Sequence, residues 1–479
     1  MRIVSGIALF LASAALAAEI PSAERTRILR TMDDTAQRYG EISRRIWEFA
    51  ELGHKEQKSS ALLRDELRAN GFRVEENIGG MPTAFVATWG SGKPVIGLMG
   101  EFDALPALSQ DTVPERKALI AGGSGHGCGH NLFGAAVVFA AVAVKNHMAA
   151  NRLPGTIRFY GTPAEEGGGG KIYMVRAGVF EGTDVVLTWH PGSTNHASLD
   201  STLANMNAKV RFRGVASHAA SAPQNGRSAL DGLLLMNHAV EMLREHVPQE
   251  TRMHYIITKG GAAPNIVPDF AEGYYYARHP SMAVLDGIWQ RVIKCAEGAA
   301  MATETKAEVD LVNSVWDVLP NDALSTLLDK NLRTVGGVKY TAEERAFAER
   351  IRSTIDLTGA PELGSEETIV PQNVSNGLGG STDVGDVSWL LPTAQFVVAT
   401  WAPGTPAHSW QSTACSGMSI GRKGMAVAAK TLALTTLDIV YDPRQVDLAR
   451  AAFEKRRGSQ RYQSRVPADH KPPLDYRDR

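Results

Sequence analysis

PVIGLMGEFDALPAL, Pro94 to Leu108, begins with seven apolar or glycine residues and turns acidic at Glu101 and Asp103. A short apolar run of this kind reads as a strand covered on both faces. Three later runs follow the same plan. TIRFYG (Thr156–Gly161) leads into TPAEEGGGG, DVVLTW (Asp184–Trp189) ends at His190-Pro191, and AQFVVATW (Ala394–Trp401) runs into APGTPAHSW. Amphipathic helical patterns lie between them, which predicts an α/β sheet with helical crossovers. The polar residues stand just past the C-terminal ends of the strands, the edge where open sheets form ligand crevices.

Between Leu203 and Asp317 the texture changes. NAKVRFRG, GRSALDGLLLMNHAVEMLREHV, MHYIITKGG, FAEGYYYARHP, SMAVLDGIWQRVIKCAEGAA and KAEVDLVNSVWD read as strand, helix, strand, strand, helix, strand. That order is the ferredoxin-like split unit, so an α+β domain (203–317) is expected inside an α/β domain made of 19–202 and 318–445. Residues 446–479 read as a C-terminal tail: EKRRGSQRYQSRVPADHKPPLDYRDR (454–479) lacks periodicity, and from Lys455 onward the chain carries eight basic and three acidic residues. A solvated tail wrapping the surface is the expectation.

Length and composition bound the rest. A chain of 479 residues with 44% hydrophobic and 21% charged residues can build two domains with a sizeable core. Fifty Lys and Arg against 51 Asp and Glu leave no global field for nucleic acid or an anionic membrane. The expected partner is a small molecule. MRIVSGIALFLASAALAAEIPSAER reads as a signal peptide over residues 1–18: Arg2, an apolar run from Ile3 to Leu16, and a small-residue site near Ala17 or Ala18. The expectation is export to a bacterial periplasm. Cys128, Cys295 and Cys415 are too few and too far apart for a disulfide framework, and sequence does not decide whether Cys295 and Cys415 pair.

GHGCGHN, Gly125 to Asn131, places Cys128 between His126 and His130. Haem attachment needs a second cysteine before the histidine, and a thioredoxin-type pair needs one at Asn131; both are missing. A cysteine nucleophile with a histidine base and a metal ligand both stay open. The other strand ends bring Glu165, Glu166, His190 and His408 to the same edge. Cys, His, Glu, His and His together suit two divalent ions, with the adjacent glutamate left over as a base.

GEFDALPAL, GHGCGHN, PAEEGGGG, TWHP, ASHAASAPQNGRSALDG, GGAAPNIVPD, GGSTDVGDVSW and GTPAHSWQ occur in one order along the chain. In these motifs the sequence resembles the di-metal amidohydrolases that include aminoacylases, hippurate hydrolases and indole-acetyl-amino-acid hydrolases. GHGCGHN, STDVGDVSW and the KPP tail resemble most the p-aminobenzoyl-glutamate hydrolase branch. The resemblance implies a metal-binding catalytic domain with an inserted lid that also dimerises. It implies Cys128, His130, Glu166, His190 and His408 as ligands of two Mn²⁺ or Zn²⁺ ions, and Glu165 as the general base and acid. His218, implied as a second catalytic residue that stabilises the tetrahedral oxyanion, and Asn265 match lid residues that reach substrate, often across a dimer, and Arg278 matches a position that clamps a substrate carboxylate. Asn131 departs from the Asp of many relatives, and Glu101 stands where the wider clan has a metal-binding His; Glu101 and Asp103 are expected to support the ligands from behind.

The implied reaction is hydrolysis of N-acyl or N-aroyl amino acids by a water activated between the ions, with Glu165 moving the proton. A dipeptidase or carboxypeptidase activity on the same site is the alternative. A homodimer is implied, with a second, related subunit left open.

Overall fold

The computed structural model describes residues 19–197, 199–372 and 379–477. The proposed signal peptide, residues 1–18, lies outside them. Strands β1 (Arg73–Glu76), β2 (Phe85–Ser91), β3 (Val95–Gly100), β4 (Gly155–Gly161) and β5 (Val185–Gly192) precede an inserted unit. That unit contains β6 (Ala204–Arg213), β7 (Arg252–Lys259), β8 (Phe270–His279) and β9 (Lys306–Val315), and β10 (Thr393–Ala399) follows it. The first sheet has the order β1-β2-β4-β3-β5-β10. Strand β3 is parallel to β4 and β5, and β5 to β10, so the C-terminal ends of these four strands share one edge. Every residue of β3 is buried, as its unbroken apolar run requires.

The inserted unit forms a four-stranded antiparallel sheet in the order β7-β8-β6-β9, with helices Ala229–Leu243 and Met282–Ala302 packed against it. This is the ferredoxin-like arrangement. Its core is separate: Phe212, Leu233, Met236, Leu285 and Trp289 belong to one cluster, and Phe139, Leu187, Phe396 and Leu432 to another.

Among the described residues, two helices, His130–Asn151 and Ser419–Tyr441, are long and apolar enough to cross a membrane by composition. In this fold both are mostly buried and pack on each other. Their apolar character serves the core: a helix covered on all sides needs no polar face. His130 is the first residue of one of them, so a core helix carries a polar group to the sheet edge.

The C-terminal segment departs from the expected solvated tail. Residues Arg444–Arg457 form a helix whose Phe453 enters the core of the inserted unit. Beyond it the chain is irregular but tied down. Tyr462 donates to Asp386 at 2.8 Å, the Trp316 indole donates to the carbonyl of Gln463 at 3.1 Å, and Arg465 pairs with Asp286 at 2.6 Å. The basic surplus that suggests solvation is used instead on carboxylates and carbonyls of both units.

Asp386 is fully buried and also accepts the Trp316 amide at 3.2 Å. Burial pushes its carboxyl up to about 8. A carboxyl that keeps its proton longer in the folded than in the unfolded chain makes stability fall as pH rises between those two values. The Asp386→Asn protein, which cannot ionise there, should gain on wild type in urea unfolding as pH is raised from 4 to 8. A gap between the two that does not change with pH would contradict this.

Candidate metal centre

The loop after β3 supplies Glu101 and Asp103, both about 1% exposed. Asp103 is a junction. One oxygen accepts His130 Nδ1 at 2.8 Å and the other accepts the backbone amide of Glu166 at 2.9 Å. With Nδ1 engaged, His130 turns Nε2 into the centre. His190 is held the same way, its Nδ1 donating to the carbonyl of Pro191 at 2.6 Å, so its Nε2 faces the Cys128 sulfur at 3.4 Å. Fixing an imidazole through its outer nitrogen is how proteins set the ring and tautomer of a metal ligand.

Gly129, between Cys128 and His130, has φ of 77°, and a Cβ there would meet Pro191 at 2.8 Å. Glycine lets the loop press against the end of β5 and turn both flanking side chains inward. His408, about half exposed, reaches in from the loop after β10, with Nε2 at 3.2 Å from Glu166. Its backbone amide is bonded to the carbonyl of Gly127, which joins the β10 loop to the cysteine loop.

Three donor groups result: Cys128, His130 and His190; Cys128, Glu166 and His408; Glu101, His130 and Glu165. Within each, the donor atoms lie within 4.8 Å of one another. The first two share the sulfur of Cys128, so two triads overlap at one atom. Sulfur, imidazole and carboxylate together suit a borderline divalent ion. The buried His130 Nε2 and Glu101 Oε2 face each other at 3.1 Å, and Glu166 Oε1 faces His408 Nε2 at 3.2 Å, so the donor atoms are aimed at one another. Charge argues the same way: Glu101, Asp103, Glu165, Glu166 and Asp383 converge here, with Lys171 as the buried ammonium among them. These residues fit cations.

The shifts separate the two glutamates. Burial, then the charges of Glu101, Glu166 and Asp383, raise Glu165 well above the usual carboxylate range. Burial also opposes ionisation of Glu166, but the His408 hydrogen bond and the His130 charge outweigh it and lower its pKa. Neighbouring carboxylates driven apart in this way suit a proton carrier beside a permanent ligand. Burial and then the charge of Glu166 push the Cys128 thiol up, the reverse of what a cysteine nucleophile requires.

The triads open into a cleft of about 520 Å³, lined on the opposite side by Asn205, Asn207, Arg278 and Asn313 of the inserted unit and by Arg477. Of the residues anticipated from sequence, Cys128, His130, Glu165, Glu166, His190, His408, Asp103 and Arg278 come together. His218 and Asn265 do not. They neighbour each other, Ala219 N donating to the carbonyl of Asn265, but both are exposed on the inserted unit and neither lines the cleft. Asn131 bonds Ser43 and the carbonyl of Ser416, and His126 bonds the carbonyl of Ile46, so both brace the loop from behind. All three cysteines are free.

Lys171 and Asp383 were not anticipated. Lys171 follows the glycine run and Asp383 lies in GGSTDVGDVSW; the signal available was a charged residue inside each apolar or glycine-rich motif. Lys171 Nζ lies 2.6 Å from both Glu101 and Asp383, and all three are buried.

Residues 97–434 match the model of peptidase family M20/M25/M40. The chain belongs to that family. It is a metal-binding hydrolase that acts on amide bonds. It is 40% identical over 474 residues to the B chain of p-aminobenzoyl-glutamate hydrolase from Escherichia coli (strain K12), covering 93% of this chain and 98% of that protein. It is 32% identical over 454 residues to Xaa-Arg dipeptidase of Mus musculus, covering 91% and 94%. Its fold is similar to that of the Bacillus subtilis YXEP protein, described as a dinuclear metal binding peptidase from the M20 family. There the TM-score is 0.58 at 17% identity over 85% of this chain and 99% of that one.

Asp103→Asn leaves one acceptor oxygen for the two N–H groups of His130 and Glu166 and removes the carboxylate charge behind His130, without touching a donor atom. Its affinity for Zn²⁺, read by competition with a chromogenic chelator, should fall by about 10–100-fold. An affinity equal to wild type would mean that His130 needs no such support.

Proposed function

We propose that this protein hydrolyses the amide bond of N-acyl or N-aroyl amino acids, p-aminobenzoyl-glutamate among them, in a cleft that holds two Mn²⁺ or Zn²⁺ ions. The observation that carries the reading is the pair of triads sharing Cys128, set beside a protonatable Glu165 and across the cleft from Arg278. Divalent ions bound there supply Lewis acidity, lowering the pKa of a water toward neutrality and polarising the scissile carbonyl.

The chain's own residues do the rest. The Glu165 carboxylate, made more basic by burial and by the negative charges around it, takes a proton from the water and returns it to the leaving nitrogen. Arg278 binds the carboxylate of the amino-acid half and fixes the amide in line. Asp103 keeps His130 and the Glu166 loop in register throughout. The 32% identity to a dipeptidase keeps a second substrate class in view, since an N-terminal residue can take the place of the acyl group.

His218 and Asn265 are assigned to a homodimer in which each reaches the partner's cleft. His218 Nδ1 accepts the amides of Ala220 and Ser221 at 3.2 and 3.1 Å, which leaves Nε2 as an outward donor. Nearby Val215 and Ile266 are 52% and 48% exposed, and Ile256, on edge strand β7, is 61% exposed. An apolar sheet edge of this kind is a surface for a partner strand. The Escherichia coli relative is named as one of the subunits of its hydrolase, which makes a heteromer with a second, related chain the competing assembly. Residues 1–18 are assigned to a signal peptide and the mature protein to the periplasm, on the basis of Arg2, the apolar run and the small residues at Ala15 and Ala17.

A screen of metal-reconstituted protein against aroyl, acyl and indole-acetyl amino acids and dipeptides tests the reading. Turnover should vanish with a chelator, return with Mn²⁺ or Zn²⁺, and fall by at least about a thousandfold in Glu165→Ala. Turnover that survives in that variant would sink the mechanism, and cleavage of dipeptides alone would favour the exopeptidase reading. His218→Ala and Asn265→Ala should lose activity with metal content intact, and an equimolar mixture of His218→Ala with Glu165→Ala should regain part of it, because one of the two clefts in a mixed dimer then has both residues intact. A mixture as inactive as either parent would remove the cross-subunit assignment.

A further inference from the structure

Arg477 lines the same cleft as Arg278, Glu165 and His190, although it lies 20 positions past Arg457, where the last helix ends. Its Nη2 and the Tyr476 hydroxyl both donate to the backbone carbonyl of Glu166, Tyr476 at 3.0 Å. The seat for this segment is built into the fold. A methyl group at Gly53 would come within 2.4 Å of the Tyr476 hydroxyl, so only glycine leaves the space. The buried His54 ring meets the Tyr476 ring edge-on at 5.8 Å. Upstream, Arg176 donates to the carbonyls of His470 and Ala468, and Tyr462 and Arg465 are held as described above. A segment anchored at this many points is part of the wall and not a fraying terminus.

The seat does not use up the guanidinium. Arg477 Nε is buried with no hydrogen-bond partner, and the same holds for Arg278 Nε, which lines the cleft from the inserted unit. The polar partners these two arginines do have are neutral: the carbonyl of Glu166 for one, and the hydroxyl of Ser381, at 3.5 Å, for the other. Buried N–H donors without acceptors are costly, and a ligand carboxylate that supplies an acceptor relieves that cost. One arginine is enough for the carboxylate common to every amino acid. A second has work to do only when the ligand brings a second carboxylate.

We propose that Arg477, delivered by the C-terminal segment, is a specificity-determining residue that with Arg278 receives the two carboxylates of an acidic amino-acid half. The assignment rests on the reading of the cleft as an acyl-amino-acid hydrolase site. A ligand with a neutral side chain leaves Arg477 desolvated and unpaired, which is how a site built to bind a polar group rejects an analogue that lacks it.

The test uses the metal-reconstituted full chain and compares p-aminobenzoyl-glutamate with p-aminobenzoyl-alanine for wild type, Arg477→Gln and Arg477→Lys. In Arg477→Gln the ratio of kcat/KM values, glutamate over alanine, should fall by about tenfold or more, mainly through a higher KM for the glutamate substrate. Arg477→Lys, which keeps the charge, should recover part of it. An equal fall with both substrates, or no fall with either, overturns the proposal; the first result would leave Arg477 as a clamp on the Glu166 loop. If wild type cleaves neither substrate, the hydrolase reading fails by itself. Calorimetric titration with free glutamate and alanine then decides about Arg477 separately. Glutamate bound more tightly than alanine by wild type, with the preference lost in Arg477→Gln, supports it, and the same preference in both proteins overturns it.

Discussion

Lys171 is fully buried, and its ammonium lies 2.6 Å from a carboxylate oxygen of Glu101 and of Asp383. Its backbone amide also donates to Asp383, at 2.9 Å. Glu101 ends a central strand, Lys171 stands in the helix that follows the next strand over, and Asp383 comes after the whole inserted unit. One cation therefore holds together segments separated by 212 residues of chain. Removing one member of such a buried group leaves its partners charged and unpaired, a loss of about 3–5 kcal/mol. The geometry of the centre depends on this join. Glu101 is aimed at His130 Nε2, 3.1 Å away, because its other oxygen is taken by Lys171.

The same restraint operates one shell inward. Asp103 binds a side chain from the cysteine loop and the backbone of the Glu166 loop, so two ligand-bearing segments cannot move independently. His130 opens a helix that is buried along most of its length. Its ring is positioned by the protein core on one side and by a carboxylate on the other, which favours a centre whose geometry exists before any ion enters. Preorganisation of this kind lowers the cost of reorganisation during reaction.

Much of this was legible in the primary structure because it follows strand ends. A buried strand must stop where polar residues begin, so β3, β4, β5 and β10 each announced the loop that carries Glu101, Glu165, His190 or His408. The ferredoxin-like unit was legible for the same reason: alternating and helical periods differ in short windows. What escaped is what no window contains. Its place after a glycine run is the one local hint that Lys171 is not a surface lysine, and its meaning lies in two carboxylates that are 70 and 212 positions away. The C-terminal segment escaped because its interactions are single side chains meeting distant backbone, with no period to betray them. His218 and Asn265 were matched by motif, and within one chain they stand apart from the centre.

A chain terminus is the customary place for an affinity tag, because terminal residues are usually free of the fold. Here Arg477 and Tyr476 hold the carbonyl of a residue whose side chain faces the metal site. Any extension after Arg479 starts within three positions of that contact. A purification handle belongs in an exposed loop, and low activity in a preparation tagged after Arg479 would say little about the untagged enzyme.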